Sequence, residues 1–222
     1  PIKFPITLSS ENAYFKQYKS CQLLPVKTHL LGELDNISHV ANTYTSRIVM
    51  PGDILTIGET PVAIMQGRYR HPSEVKPELI SRILCRAFHP TSSLATACGL
   101  QTLIDIVGPT RVLIALIIGI AGKLIGIKGV FYRIAGEQAR LIDDITGTTP
   151  PYDQMIVLGP KYPNDICEKI SSQLGIEVAI VDVNDLGRVK ILAASKNCNK
   201  NFLRKALLTN PAGNANEQTP IV

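Results

Sequence analysis

The sequence contains no tryptophan, and only 5% of its 222 residues are aromatic. Proteins that bind single-stranded nucleic acids stack the bases on aromatic side chains, so this class is disfavoured. The net charge of +5 comes from scattered lysines and arginines with no dense basic run, which points the same way. The composition therefore predicts no nucleic-acid partner, and its mildly basic balance suits a nucleotide or a small anionic substrate.

The sequence shows neither CxxC spacing nor the pattern of a signal peptide. No CxxC spacing occurs among the five cysteines, and none has a partnered histidine. This pattern indicates reduced thiols in a cytosol-like compartment and argues against a zinc site. The first residues contain no continuous apolar core of a signal peptide. A cytoplasmic location is therefore predicted.

Common nucleotide and hydrolase motifs are absent as well. The sequence has no Walker motif, no GxGxxG, no GxSxG and no HExxH. If the protein is a nucleotide enzyme, it does not use a P-loop. Its site must then be sought where polar residues follow predicted strands.

The segment 176–195 is the most informative of these places. Residues 178–181 form an apolar, β-branched run that predicts a buried strand, and this run is followed directly by Asp182. Gly187 allows a turn, after which residues 189–194 predict another strand or the start of a helix. Carboxylates at the end of a strand suit a cation or phosphate site, whereas a polar hairpin turn is the alternative.

Two other predicted strands also lead into polar residues. Residues 54–58 form a strand followed by Glu59 and Thr60, and residues 129–135 form a strand followed by Glu137. A further strand is predicted over residues 62–65. Ordinary turns remain the alternative at each place, but three such clusters favour a common site where strand ends converge.

Helical periodicity occurs over 78–107 in two pieces, over 164–174 and over 200–208. The predicted fold is α/β or α+β, with a mixed sheet and flanking helices in a single domain over 1–222. Residues 1–20 look like a peripheral arm.

An apolar insert is predicted over residues 108–128. Residues 112–121 are continuously apolar, and a stripe of glycines that permits close helix packing continues from them. The glycines are Gly119, Gly122, Gly126 and Gly129. The uncharged run is shorter than the roughly 18 residues of a spanning helix. A buried core or subunit-interface helix is preferred, and a membrane-surface hairpin through 112–127 and a true span remain open.

Three segments together resemble one family, the coenzyme F-420 gamma-glutamyl ligases. The first is Val-Asp-Val-Asn-Asp-Leu-Gly-Arg at 181–188, similar to a family strand whose Asp and Thr help to hold a divalent cation. The second is Tyr-Arg-Ile-Ala-Gly-Glu-Gln-Ala at 132–139. The third is Gly-Glu-Thr-Pro-Val-Ala-Ile-Met-Gln-Gly-Arg at 58–68. The resemblance covers roughly residues 23–222 apart from the insert.

This resemblance implies a gamma-glutamyl-ligase-like fold and a GTP-driven joining of L-glutamate to a small carboxylate substrate, with Mg²⁺ or Mn²⁺ as the metal. It also suggests a set of site residues. The catalytic candidates are Arg68 and Arg188. The nucleotide-binding candidates are Thr60, Gly67, Asn184 and Arg140. The metal candidates are Asp182, Glu137, Gln138 and Glu217.

The chain departs from the family at three positions that matter for chemistry. Val183 stands where the family has Thr, and Ile64 stands where it has Lys. Gln138 stands where the family has a metal-binding Asp, with Glu137 beside it. The missing lysine removes a positive charge that would stabilise the phosphoryl group during transfer, although Arg68 or Arg140 could substitute. Nucleotide binding is therefore expected more firmly than ligation. The alternatives are a non-catalytic nucleotide-binding relative or a membrane-associated interaction module, and a homodimer is a further option.

Overall fold

The fold is taken from a computed structural model that describes residues 4–6, 21–90, 92–144, 151–184, 187–213 and 217–222. Most of the predicted arm over 1–20 lies outside these residues, as does the side chain of Asn184. In chain order the strands and helices are β1 (Phe4–Ile6), β2 (Cys21–Leu23), α1 (Ile37–Thr45), β3 (Ile54–Gly58), α2 (Glu59–Met65), β4 (Tyr69–Arg70), α3 (Leu79–Leu84), α4 (Ala97–Val107), α5 (Pro109–Leu124), α6 (Val130–Ala135), α7 (Gln138–Leu141), β5 (Asp143–Asp144), β6 (Ile156–Val157), α8 (Pro163–Leu174), β7 (Glu177–Asn184), β8 (Arg188–Ala194) and α9 (Lys200–Ala206).

The chain divides into two compact units where a single domain is predicted. Residues 1–67 and 160–222 form one unit, called here the sheet unit, and residues 68–159 form the other, called the helical unit. The helical unit is therefore one continuous segment between two parts of the sheet unit. Both units combine helices with strands, in keeping with the predicted mixed α/β class.

The sheet unit is built on a small mixed sheet in the order β3-β7-β8. Strand β3 runs parallel to β7, and β7 forms an antiparallel hairpin with β8. The last residues of the chain line the other side of β3, where the Thr56 and Val222 backbones exchange hydrogen bonds of 2.8 and 3.0 Å. The mixed sheet with flanking helices is thus confirmed.

Both faces of β7 are buried, because side chains alternate between the two faces of a strand. Val178 and Ile180 share a cluster with residues of α1 and α8. Ala179 and Val181 share another cluster with Leu203 of α9. A strand buried on both sides reads as a continuous apolar run, which is what residues 178–181 show.

Helix α8 shows how local sequence sets an element of this unit. Pro163 occupies the first turn, where its fixed φ suits a helix and its missing N–H breaks no bond. Cys167 and Ile170 lie one turn apart and are both buried against the sheet. Gly175 ends the helix with φ +70°, a conformation that favours glycine. The predicted helix over 164–174 is therefore present, starting one residue earlier.

The helical unit packs α3 to α7 with a small antiparallel sheet in the order β4-β6-β5. Its core joins Leu100 and Leu103 of α4 to Val112 of α5, Phe131 of α6 and Ile156 of β6. The long periodic stretch over 78–107 is divided, because α3 ends at Leu84 and α4 begins at Ala97. Thr96 caps α4 by accepting a 2.9 Å hydrogen bond from the Gly99 N–H.

Two predicted strands are wrong, since both segments are helical. Residues 130–135 form α6, in which Phe131 and Ala135 lie one turn apart and are both buried. Residues 62–65 belong to α2, which turns Val62 and Met65 towards the core. Short apolar runs fit either element, and helix packing decided both cases.

The apolar insert is helical over Pro109–Leu124, which forms α5, and two of its glycines lie at the contact with α6. A Cβ at Gly119 would lie 3.0 Å from the Phe131 Cβ, and one at Gly122 would lie 2.7 Å from the Val130 Cγ2. The close packing predicted from the glycine stripe is therefore observed at Gly119 and Gly122 only. Gly126 and Gly129 lie after the end of α5, and a Cβ at either position would have no neighbour within 4 Å. The expected burial of this helix is correct for one side only, because most of its large aliphatic side chains are exposed.

No single helix in the described ranges is long and apolar enough to cross a membrane. Helices α4 and α5 pass the same test of length and composition only as a pair, and they are bent relative to each other by 114°.

Candidate functional site

The candidate site residues divide between the two units. The sheet unit contains six of them, and the helical unit contains the other four. The residues of the sheet unit are Thr60, Gly67, Asp182, Asn184, Arg188 and Glu217. The residues of the helical unit are Arg68, Glu137, Gln138 and Arg140.

The parallel pairing of β3 with β7 creates a polar edge in the sheet unit. The register pairs Ile54 with Glu177 and continues to Gly58 opposite Val181. Because the strands run in the same direction, their carboxyl ends meet at one edge. Thr60, in the first turn of α2, and Asp182, which follows Val181, therefore both lie at this edge.

Glu59 lies at the same edge and is buried, with 8% of its surface exposed. Among the described residues it is the only Asp, Glu, Lys, Arg or His in the buried class. The prediction includes Thr60 but treats Glu59 only as its neighbour. The signal that could have identified Glu59 is the same as for Asp182, a carboxylate directly after a buried strand.

Asp182 lies on the sheet face that carries Val178 and Ile180, since alternate residues share a face. It emerges half-buried beyond their apolar cluster. The hairpin register places Lys190 opposite Asp182. Opposite charges in directly paired positions stabilise a sheet modestly, and this register brings the positive charge of Lys190 to the strand position opposite the carboxylate.

The β7–β8 hairpin and the end of the chain supply three further candidates. Arg188 is exposed and its backbone pairs with that of Asn184. The final segment reaches the edge at Pro220, whose carbonyl accepts a 2.9 Å hydrogen bond from the Gly58 N–H. Glu217 precedes this contact and is exposed, and its carboxylate lies beside Gly213.

Gly67 closes the turn after α2 with φ +63°. This left-handed conformation favours glycine, and a Cβ at this position would lie 3.5 Å from a carboxylate oxygen of Glu33. The backbone therefore explains this glycine without any ligand.

In the helical unit, the Arg68 side chain is held by two hydrogen bonds. Its Nε donates to the Gly159 carbonyl at 2.5 Å, and its Nη2 donates to the Gln138 Oε1 at 3.0 Å. Burial lowers the pKa of the Arg68 guanidinium, and the charge of Arg70 lowers it further. Two candidates are thus in direct contact, in an arrangement that ties α7 to the strands of this unit.

That contact affects what Gln138 can bind. Its Oε1 is the atom that would coordinate a cation, and it already accepts a hydrogen bond from a positively charged guanidinium. A metal at this oxygen would require Arg68 to move. Glu137 and Arg140 flank Gln138 and are exposed, so they are accessible to a ligand of the same unit.

Across the described part of the chain, no group of three or more His, Cys, Asp or Glu side chains is arranged to hold a metal ion. A cation at the edge of β3 and β7 would therefore have to complete its coordination with hydroxyl, phosphate or water oxygens. Mg²⁺ commonly does so, with one or two protein carboxylates and the rest of its ligands from phosphate and water.

Comparisons with known proteins identify no family. No protein-family model matches the sequence, and a search of curated proteins finds no match.

Proposed function

We propose that this protein binds a nucleotide and a divalent cation at the sheet edge where β3 and β7 end. The observation that carries the proposal is the parallel register that pairs Gly58 with Val181. It directs Glu59 and Thr60 from one strand, and Asp182 from its neighbour, to one edge. Open α/β sheets bind ligands outside the carboxyl ends of their strands.

The side chains at this edge fit a hard cation. The carboxylates of Glu59 and Asp182 and the hydroxyl of Thr60 are oxygen donors of the kind that Mg²⁺ and Mn²⁺ prefer. A bound ion would neutralise phosphate charge on the nucleotide. Lys190, opposite Asp182 in the hairpin, adds positive charge near the same edge.

The reaction class proposed for the protein is the joining of L-glutamate to a small carboxylate substrate, driven by GTP. Support for it comes from the resemblance of residues 58–68, 132–139 and 181–188 to the gamma-glutamyl ligases. Asp182 in the third of these segments and Thr60 in the first lie at the proposed edge.

Two observations favour a second candidate, a nucleotide-binding protein without ligase activity. Ile64, which stands at the lysine position of the family, is buried in α2. Arg68, the nearest candidate to replace that lysine, already uses Nε and Nη2 in contacts within the helical unit. Less positive charge is then left to stabilise a phosphoryl group in transfer. Losing such a charge often raises the activation free energy by several kcal/mol.

Calorimetry with GTP and Mn²⁺ tests the binding site. Asp182→Asn keeps the size of the side chain and removes its charge, so we expect binding weaker by about tenfold or more. Asp165→Asn is the matched control, because Asp165 is an exposed carboxylate of α8 in the same unit. Equal affinities for the wild type and Asp182→Asn would reject the edge as the site.

An activity assay separates the two candidate functions. The reaction contains a deazaflavin carboxylate acceptor, L-glutamate, GTP and Mn²⁺, and its product is analysed by mass spectrometry. A glutamylated product supports the ligase. No product together with a GTP-dependent rise in melting temperature supports the binding protein. No product and no thermal shift with GTP or ATP rejects both.

A further inference from the structure

Helix α5 has an unusual distribution of side-chain size between its two sides. Small or compact residues face the core, namely Val112, Ala115 and Gly122, together with Leu116. Large aliphatic residues cover the opposite side, called here the α5 outer face. Its members are Leu113, Ile114, Ile117, Ile118, Ile120 and Leu124.

The exposure of this face follows from the packing of α5 against α6. Gly119 and Gly122 let the backbone of α5 approach Phe131 and Val130 of α6 closely. The large aliphatic side chains of the outer face lie on the other side of α5, with 60% of Ile117 and 83% of Leu124 exposed. Contiguous apolar surface of this kind is unfavourable in water, and it marks a surface that binds another molecule or a membrane.

The charges around the α5 outer face indicate what covers it. Between Asp105 and Glu137 the chain carries Arg111, Lys123, Lys128 and Arg133, and it has no Asp or Glu. Lys123 and Lys128 are exposed, at the end of α5 and in the turn that follows. A second copy docking through the same face would bring like charges together, which disfavours self-association. An anionic partner is complementary instead.

The length of α5 indicates whether the helix could cross a membrane or only lie on its surface. Its 16 residues span about 24 Å at 1.5 Å per residue, less than the ~30 Å of a bilayer core. A helix of this length, with one aliphatic side and a cationic end, lies along a membrane surface rather than through it.

We propose that the α5 outer face binds the surface of a membrane that contains anionic lipids. The aliphatic side chains would enter the boundary between headgroups and acyl chains, while Lys123 and Lys128 contact the anionic headgroups. The inward side of α5, with its glycine contacts to α6, would stay within the protein. The proposal does not depend on the nucleotide site, which lies in the other unit.

Vesicle flotation with the full chain tests this proposal. The vesicles are phosphatidylcholine alone, or phosphatidylcholine mixed with phosphatidylglycerol. We expect wild-type protein to float with the mixed vesicles and more weakly with the neutral ones. Replacing both Ile117 and Leu124 by Glu should abolish flotation. Replacing Lys123 and Lys128 by Gln should weaken binding to mixed vesicles by about tenfold or more.

Leu34→Glu provides the matched control, because Leu34 is an aliphatic residue of the sheet unit with 99% of its surface exposed. It should float as the wild type does. Circular dichroism and melting curves establish that each variant is folded. Failure of the wild type to bind mixed vesicles would overturn the proposal. So would equal loss of binding in Leu34→Glu, or a solution dimer that dissociates in the Ile117→Glu, Leu124→Glu variant.

Discussion

Strand β7 and helix α5 have similar apolar sequences and opposite environments. Residues 178–181 are buried on both faces of the sheet, between the cluster of α1 and α8 and the cluster of α9. Residues 112–121 form a helix with one buried side, and most of its large side chains lie outside. Hydrophobicity alone therefore did not determine which run became core.

The difference lies in where the small residues are. Strand β7 presents Val178 and Ile180 to one cluster and Ala179 and Val181 to another, so every side chain finds a partner. Helix α5 places glycine where its neighbour packs, which leaves its bulky residues without a partner in the described helical unit. Small residues inward and large residues outward are the arrangement of helices that face lipid.

Truncating one isoleucine in each run should give the largest contrast. Ile180→Ala removes a fully buried side chain, so we expect the free energy of unfolding to fall by about 2–5 kcal/mol. Ile117→Ala removes a mostly exposed one and should change it by at most about 0.5 kcal/mol. Urea denaturation of both variants measures the difference. Equal losses would mean that the α5 outer face is packed in solution.

Filling the glycine contact between α5 and α6 should have the next largest effect. Gly122→Ile puts a branched side chain where a Cβ alone would lie 2.7 Å from the Val130 Cγ2. We expect a loss of about 1–3 kcal/mol by overpacking, measured by urea denaturation. Ala121→Ile is the control, because Ala121 is exposed on the same helix and should tolerate the change. A stable Gly122→Ile variant would contradict the close packing.

The smallest expected effect is a pH dependence in the sheet unit. Burial raises the pKa of the Cys167 thiol from its ordinary 9.0 to about 12. The folded state therefore holds this proton over a range in which the unfolded state releases it. The resulting stability is complete below about pH 9 and is lost as the pH rises towards about 12.

Denaturation at about pH 8 and about pH 10 measures this contribution. We expect the thiol to account for about 1 kcal/mol of the decrease in unfolding free energy between these pH values. Cys167→Ala should show a decrease smaller by that amount. Parallel pH profiles for the two proteins would indicate that water reaches this thiol.

Local sequence was sufficient to predict several elements of the fold. The apolar run over 178–181 predicts the buried strand β7, and Gly187 predicts the turn after it. Residues 189–194 fit a strand or a helix start, and pairing with β7 makes them a strand. Gly175 marks the end of α8, and Gly119 with Gly122 predicts a close helix contact. In each case a turn, a helix end or a glycine stripe acts over a few residues, where propensity and sterics are decisive.

Other elements depended on contacts between distant segments. The run over 130–135 is short enough to fit a strand or a helix, and it forms a helix that packs against α5 at Gly119 and Gly122. The outward direction of Ile117 and Leu124 likewise depends on which side of α5 meets α6. Periodicity identifies a helical stripe, but it does not say that the stripe with the bulky residues lies outside.

The candidate site was also predictable only in part. Carboxylates after strands indicated Asp182, and the parallel pairing of β3 with β7 brings Thr60 to the same edge. The burial of Glu59 and the contact of Arg68 with Gln138 are tertiary features that no local pattern reports.

The parallel pairing of β3 with β7 also sets an order of events at the ribosome. Strand β3 is translated before the helical unit, but its partner β7 follows that unit, and the segment that pairs through Val222 follows β7. Residues 68–159 can complete their own contacts while the nascent β3 has no neighbour. Early exposure of an unpaired apolar strand invites wrong pairing, so β3 is the segment that a chaperone would protect during synthesis.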